Sequence, residues 1–181
     1  MTTLQVPAQL GISDVEAAAL VEVWSTADVV ATRMMKLGFS PPQRPPVQPP
    51  QLSPGQQVNF TPQQFEMHTQ LLEDWQGYAQ YHMVMLKNYI EELENKKEIL
   101  KLAQVKTLRE WYRNNPGDKK PAEVEISESV KHSPVWQELH KEQQDCNHAY
   151  RLVEQAFNSY SRQKGVLSRG LTAKQVAQAG R

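Results

Sequence analysis

Between Pro62 and Pro116 the chain contains no proline, and an apolar or aromatic residue returns through that interval at alternating steps of three and four. The series is Leu72, Trp75, Ala79, His82, Leu86, Tyr89, Leu93, Lys96, Leu100 and Ala103. Such spacing holds one stripe of an α-helix apolar over about four heptads, the pattern of a coiled-coil seam. The residues between are mostly Glu, Lys, Gln, Leu and Met, all good helix formers. Thr61-Pro62-Gln63-Gln64 supplies a start signal, a capping box with proline at the first helical position. At 1.5 Å per residue the helix would be roughly 80 Å long. A helix of that length cannot bury its stripe in a compact core, so it requires a partner of similar length. Gly77 is the one position where the sequence allows a kink.

The partner is encoded downstream. Ser133-Pro134 reads as an N-cap followed by proline at N1. A second seam then runs Leu139, Gln143, Cys146, Tyr150, Val153, Phe157, Tyr160, Lys164, Leu167 and Leu171. Asn114-Asn115-Pro116-Gly117-Asp118 is turn chemistry, and an acidic stretch around Glu123, Glu125 and Glu128 comes after it, so residues 114–133 are expected to form a loop. Two long helices joined by a loop pack antiparallel. The expected register places Arg113 near Trp136 and Glu98 opposite Arg151, with Lys106, Arg109 and Arg113 facing Glu138, Glu142 and Asp145. Exposed pairs of this kind select a register and do not create the fold.

Ahead of the hairpin, Ser13-Asp14-Val15-Glu16 is another capping box. Leu20, Val23, Ala27, Val30, Met34 and Leu37 continue on one stripe, and Gly38 closes it as a C-cap. Residues 40–56, SPPQRPPVQPPQLSPGQ, carry too much proline for helix or sheet and read as an extended tether that either docks on its own chain or reaches a neighbour. Thr172-Ala173-Lys174-Gln175 suggests a short last helix, with Gly165 and Gly170 fraying or bending the one before it. The expected fold is therefore all-α, a long antiparallel helical hairpin (coiled coil) with an N-terminal helix on a proline-rich tether. The boundaries are 1–39 for that helix, 40–60 for the linker, 61–171 for the hairpin with its loop at 114–133, and 172–181 for the tail.

Lysine plus arginine balances aspartate plus glutamate, giving a formal net charge of zero. The balance hides a segregation, because from Arg151 onward Arg162, Lys164, Arg169, Lys174 and Arg181 stand with it against Glu154 alone. A basic tail is a polyanion contact or a solvated helix face. A single cysteine, Cys146, excludes an intrachain disulfide framework. No basic leader with an apolar run and no membrane-length apolar stretch is present, so no membrane partner and a reducing, cytoplasmic compartment are expected, the host's cytoplasm if the chain is phage-encoded.

No catalytic set emerges, so no enzymatic activity and no cofactor are expected. His140 and His148 lie eight residues apart with Cys146 on a different face, whereas a zinc site asks for i,i+3 or i,i+4 ligands, so no metal is expected either. The pairs Glu73-Asp74 and Glu91-Glu92 fall on a solvent face, with no cleft to make them an acid–base pair. Cys146 sits on the seam and reads as a small core residue. What remains is a set of cations interleaved with aromatics. Lys96, Lys97, Lys101, Lys106, Arg109 and Arg113 accompany Trp111 and Tyr112 on the first long helix; Tyr160, Arg162, Lys164 and Arg169 lie on the second. Cations that track phosphates and rings that stack on bases are how single strands are held, although the same residues also serve as seam positions and intramolecular partners.

The stretch from Lys96 to about Lys174 resembles the UvsY-like recombination mediators of tailed bacteriophages. The likeness lies in an ordered pattern: a basic helix ending in adjacent aromatics, KKEILKLAQVKTLREWYR; a polar loop, PGDKKPAEVEISESVK; and a second helix with an aliphatic-aromatic seam and a basic end, VWQELHKEQQDCNHAYRLVEQAFNSYSRQKGVLSRGL. The resemblance implies a non-enzymatic homo-oligomer that binds single-stranded DNA and helps a strand-exchange recombinase displace the single-strand-binding protein. It implies that Lys96, Lys97, Lys101, Lys106, Arg109, Arg113, Tyr160, Arg162, Lys164 and Arg169 are the contact residues. Independently, Met83, Met85, Ile90, Ile99, Leu102, Val105 and Leu108 lie off the main stripe, which points to self-association or to docking of the first helix. A virion adaptor or scaffold that uses the rod for protein–protein contact is the alternative, since the same seam, tether and loop serve either role.

Overall fold

The computed structural model of the chain describes residues 27, 28, 30–32, 35, 43–48, 60–116 and 123–179; for 123, 124, 126 and 127 it describes the backbone alone. Three helices carry the fold: α1, Pro62–Asn114; α2, Glu123–Lys131; and α3, Pro134–Ala179. Among the described residues there is no strand. α1 and α3 pack against each other along their lengths as an antiparallel hairpin, and α2 lies against the far end of α1. No described helix is long and apolar enough to cross a membrane.

The ends of the helices form where their chemistry directs. Thr61 Oγ1 accepts from the Gln64 amide at 3.2 Å, and Gln64 Oε1 accepts from the Thr61 amide at 2.8 Å, a reciprocal capping box with Pro62 at the first position. Asn115 ends α1 by directing both its backbone and its side-chain N–H to the Trp111 carbonyl. Ser133 caps α3 through its hydroxyl, which accepts from the Trp136 amide at 3.3 Å. α1 passes through Gly77 without interruption.

The core is a thin ribbon between the two long helices. Phe65, Leu72, Trp75, Ala79, Met85, Leu86, Tyr89 and Leu93 from α1 meet Cys146, Ala149, Val153, Tyr160 and Leu167 from α3. The expected α1 stripe is the buried one as far as Leu93. It then steps by four to Lys97, leaving Lys96 exposed. The α3 stripe holds as expected, with Gln143, Cys146, Val153, Tyr160 and Leu167 buried.

Three expectations are corrected. Residues 114–133 are not one loop, since they contain α2, whose Val130 is 1% exposed and turns inward. There is no separate helix at 172–181. α3 continues through Gly165, Gly170 and Thr172 to Ala179, and the Thr172 hydroxyl bonds back to the Ser168 carbonyl at 3.1 Å inside the helix instead of capping a new one. The register also differs. Gln76 Nε2 donates to Ser161 Oγ at 2.6 Å, Tyr89 Oη donates to Glu142 Oε1 at 2.7 Å and Lys97 Nζ donates to Gln143 Oε1 at 2.6 Å. Against these pairs the expected register is displaced by about three helical turns. Glu98 does not face Arg151, and Glu142 is engaged by Tyr89, not by the basic end of α1. Because α2 takes up part of the second arm, α3 starts further back along α1, and the last turns of α1 lie beyond it.

Of the N-terminal segment, residues 27, 28, 30–32 and 35 are helical, and Ala27 and Val30 are buried in the hairpin core. The Ser13–Glu16 box and Gly38 lie outside the described residues. Within the tether, residues 43–48 dock on their own chain: Trp75 Nε1 donates to the Val47 carbonyl at 2.7 Å, and the Arg44 guanidinium lies 5.7 Å over the Trp75 ring. At the base of the hairpin Lys174 Nζ donates to the Phe60 carbonyl at 2.5 Å and sits 5.6 Å over the Phe65 ring, which ties the end of α3 to the start of α1.

Leu86 is fully buried and Ile99 is 65% exposed. Leu86→Ala is expected to cost about 2–5 kcal/mol, and Ile99→Ala to stay within about 0.5 kcal/mol, by urea denaturation of the full chain. Equal costs would show that the ribbon between the arms is not the core.

Candidate nucleic-acid interface

The ten residues expected to contact DNA separate into three kinds. Two are buried. Lys97 is 9% exposed: besides its bond to Gln143, its ammonium is 3.4 Å from Glu94 and 5.4 Å over the Trp136 ring. Gln143 in turn donates to Glu94, which holds that carboxyl below the usual range. Trp136 stacks on His140 at 4.8 Å, completing a polar inlay in the ribbon. Tyr160 is 8% exposed, its ring 6.2 Å from that of Trp75, and burial pushes its phenol up to about 12. Neither side chain offers a face to a base or a phosphate.

Four more are engaged by neighbours on the surface. Lys96 pairs with Glu92 at 2.7 Å and Lys101 approaches Glu98 at 3.8 Å, both along α1. Lys164 pairs with Glu73 across the hairpin, and Arg169 Nε donates to the Gly165 carbonyl at 3.1 Å. Surface pairs of this kind are weak and exchange with competing anions at little cost.

The remaining four are Lys106, Arg109, Arg113 and Arg162, all exposed, and of these Arg109 also has a partner. Lys106, Arg109 and Arg113 succeed Leu102 at steps of four, three and four, so they form one stripe. With Leu102, Val105 and Glu110 they line an open groove of about 240 Å³. Among the described residues Lys106 and Arg113 have no acidic partner within ion-pair distance. Trp111, half-exposed, stands at the same end with Tyr112 edge-on to it at 4.8 Å.

Antiparallel packing sets the two expected clusters apart. Lys164 is level with Glu73, whereas Lys106 lies more than thirty residues further along α1, a separation of about 50 Å at 1.5 Å per residue. The hairpin thus brings together Lys106, Arg109, Arg113 and Trp111 at its tip and leaves Arg162 and Arg169 near its base. Sequence reasoning missed the inlay of Lys97, Gln143 and Glu94. Lysines occupy both 96 and 97, and the spacing Leu93, Lys97, Leu100, Gln104, Leu108 was the signal that the second of them lies on the seam. It missed as well the polar set that Asp28 forms with Tyr78 and His82, since nothing local links positions fifty residues apart.

The chain matches no protein-family model, no curated protein and no solved structure.

The division between buried and available cations is open to measurement. Lys97→Ala is expected to lose about 1–3 kcal/mol, because it leaves Gln143 Oε1 without its donor, and Lys106→Ala to stay within about 0.5 kcal/mol. Thermal unfolding of both variants beside the parent reads the difference. A Lys97→Ala protein as stable as the parent would return Lys97 to the set of surface cations.

Proposed function

We propose that this chain is a non-enzymatic, self-associating helical protein that binds single-stranded DNA at the tip of its hairpin and acts as a recombination mediator, helping a strand-exchange recombinase take the place of the single-strand-binding protein. The observation that carries this reading is the exposed stripe of Lys106, Arg109 and Arg113 along the groove floored by Leu102 and Val105, with Trp111 at the same end. Cations at one-turn spacing track a phosphate chain, and a half-exposed indole provides a stacking face for a base. The resemblance of residues 96–174 to UvsY-like mediators supports the same reading. Arg162 and Arg169 form a weaker second contact near the base.

A second reading has its own observation. Ile99 and Leu102, the second of which lines the groove, are each 65% exposed. Apolar side chains in that position favour contact with another protein, as an adaptor or scaffold requires.

A salt titration of fluorescent single-stranded DNA, with the mass of the free protein measured by light scattering, separates the two. The proposal expects an oligomer whose affinity falls with salt. It expects the Lys106→Ala/Arg109→Ala/Arg113→Ala variant to lose about 2 from the slope of log K against log salt, at about 0.7 per phosphate contact. Arg162→Ala/Arg169→Ala is expected to change the slope less. Absence of DNA binding at low salt would sink the mediator reading and leave the assembly protein.

A further inference from the structure

Leu102 follows the fully buried Leu93 by nine residues. At about 100° per residue that carries it about 180° around α1, to the side opposite the ribbon. The face there is open. Leu102 and Ile99 are each 65% exposed, and the groove beside them is lined by α1 residues alone. Along this face the charge changes sign. Glu91 and Glu98 precede Leu102, Lys106 and Arg113 follow it, and all four are exposed and fall within about 40° of its direction. Among the described residues Glu91 has no cation within ion-pair distance, and Glu98 has Lys101 at 3.8 Å. Arg109 shares the face and already has a partner.

A face with acids on one side of an apolar centre and cations on the other is complementary to itself turned end for end. With a two-fold axis at Leu102, positions equally far on either side of it meet. Lys106 then meets Glu98 of the second copy, Arg113 meets its Glu91, Ile99 meets its Val105, and the two Leu102 side chains meet each other. A parallel pair would set Glu91 on Glu91 and Arg113 on Arg113, and like charges placed opposite each other are unfavourable. Sliding the antiparallel pair by a heptad sets Arg113 on Val84 in one direction and Leu102 on Arg109 in the other. Only the pairing about Leu102 satisfies the apolar centre and both charges together.

We infer that a second copy of this chain docks on the Glu91–Arg113 face of α1, antiparallel and about a two-fold axis at Leu102. The self-association proposed above, on which this pairing rests, thereby gains a surface. The ribbon and its inlay lie on the other side of α1 and stay as they are. Lys106 and Arg113 also line the groove offered to DNA, so a strand that binds there takes the place of the second copy. Exposed ion pairs contribute little singly, so their part is to set the direction and level of the pair, with contact supplied by Ile99, Leu102 and Val105.

The test is sedimentation equilibrium of the full chain, with circular dichroism to show that each variant is folded. The parent is expected to self-associate. Glu91→Lys/Glu98→Lys is expected to raise the dissociation constant by about tenfold or more, because ion pairs on both sides of the axis become repulsions. Adding Lys106→Glu/Arg113→Glu to it is expected to lower the constant again, since every pair returns with its signs exchanged. A monomeric parent, a charge variant that associates as the parent does, or no recovery in the fourfold variant would overturn the inference. If the charge variants do not fold, Leu102→Glu decides, since it sets two carboxylates at the axis and unchanged association overturns the pairing. A single strand of DNA too short to hold two copies is expected to shift the parent toward monomer, and a strand that binds without that shift also overturns it. The two readings fail separately. Association that responds to the variants in a chain without DNA affinity leaves the pairing and removes the DNA reading, and DNA binding with association that ignores them does the reverse.

Discussion

A helix with an apolar stripe running through most of 53 residues cannot satisfy that stripe alone, and most features of this molecule answer that one requirement. α3 covers the stripe from the base of the hairpin to Lys97, α2 covers part of what lies beyond, and the N-terminal segment covers the flank at Trp75 and His82. Burying a Leu or Phe side chain contributes roughly 1.5–3 kcal/mol, and Phe65, Leu72, Leu86, Leu93 and Leu167 are all among the most completely buried side chains. The ribbon is thin, so most of these side chains are covered chiefly by the helix that faces them.

An apolar ribbon alone tolerates sliding, because a shift by a heptad returns one stripe to another. The inlay of Lys97, Gln143, Glu94 and Trp136 removes that freedom. Moved by a heptad, the Lys97 ammonium would lose Gln143 and meet Trp136 or Tyr150 in its place, keeping only Glu94 of its own helix, and a buried charge that loses a partner is unfavourable. Polar groups at seam positions are known to choose register at some cost in stability. The same inlay explains why one of the cations clustered in the sequence does not reach the surface. Lys97 is committed to alignment, whereas Lys106 and Arg113, past the end of α3, have no acidic partner among the described residues and stand outside.

Much of this architecture was legible in the order of residues. The Thr61 box, the Ser133-Pro134 start and both seams come from local spacing, and local spacing is what a helix reads. What escaped depended on distances that no local pattern encodes. The register is decided by how much of residues 114–133 is helical, and the turn signals at Asn114–Asp118 carry no information on the helicity of Glu123–Lys131. Thr172 looks like a cap in sequence, yet a threonine inside a helix satisfies its hydroxyl on the carbonyl four residues back and leaves the helix running. The candidate interface was legible in composition and less so in placement. The cations were identifiable, but antiparallel packing separated their two groups, and burial removed Lys97 and Tyr160.

The overhang of α1 past α3 has a mechanical consequence. At the base, the Lys174 clasp on Phe60 and Phe65 and the Glu73–Lys164 pair join both arms, so opening there means breaking the whole ribbon. At the tip, among the described residues, it is the nine-residue α2 that lies beside the turns around Lys106–Arg113, and their backbone can be remodelled without disturbing Leu86 or Val153. The hairpin is therefore graded, anchored at one end and compliant at the other. Its compliant end carries the cationic groove, so a ligand bound there can reshape its own seat while the ribbon behind it keeps its alignment.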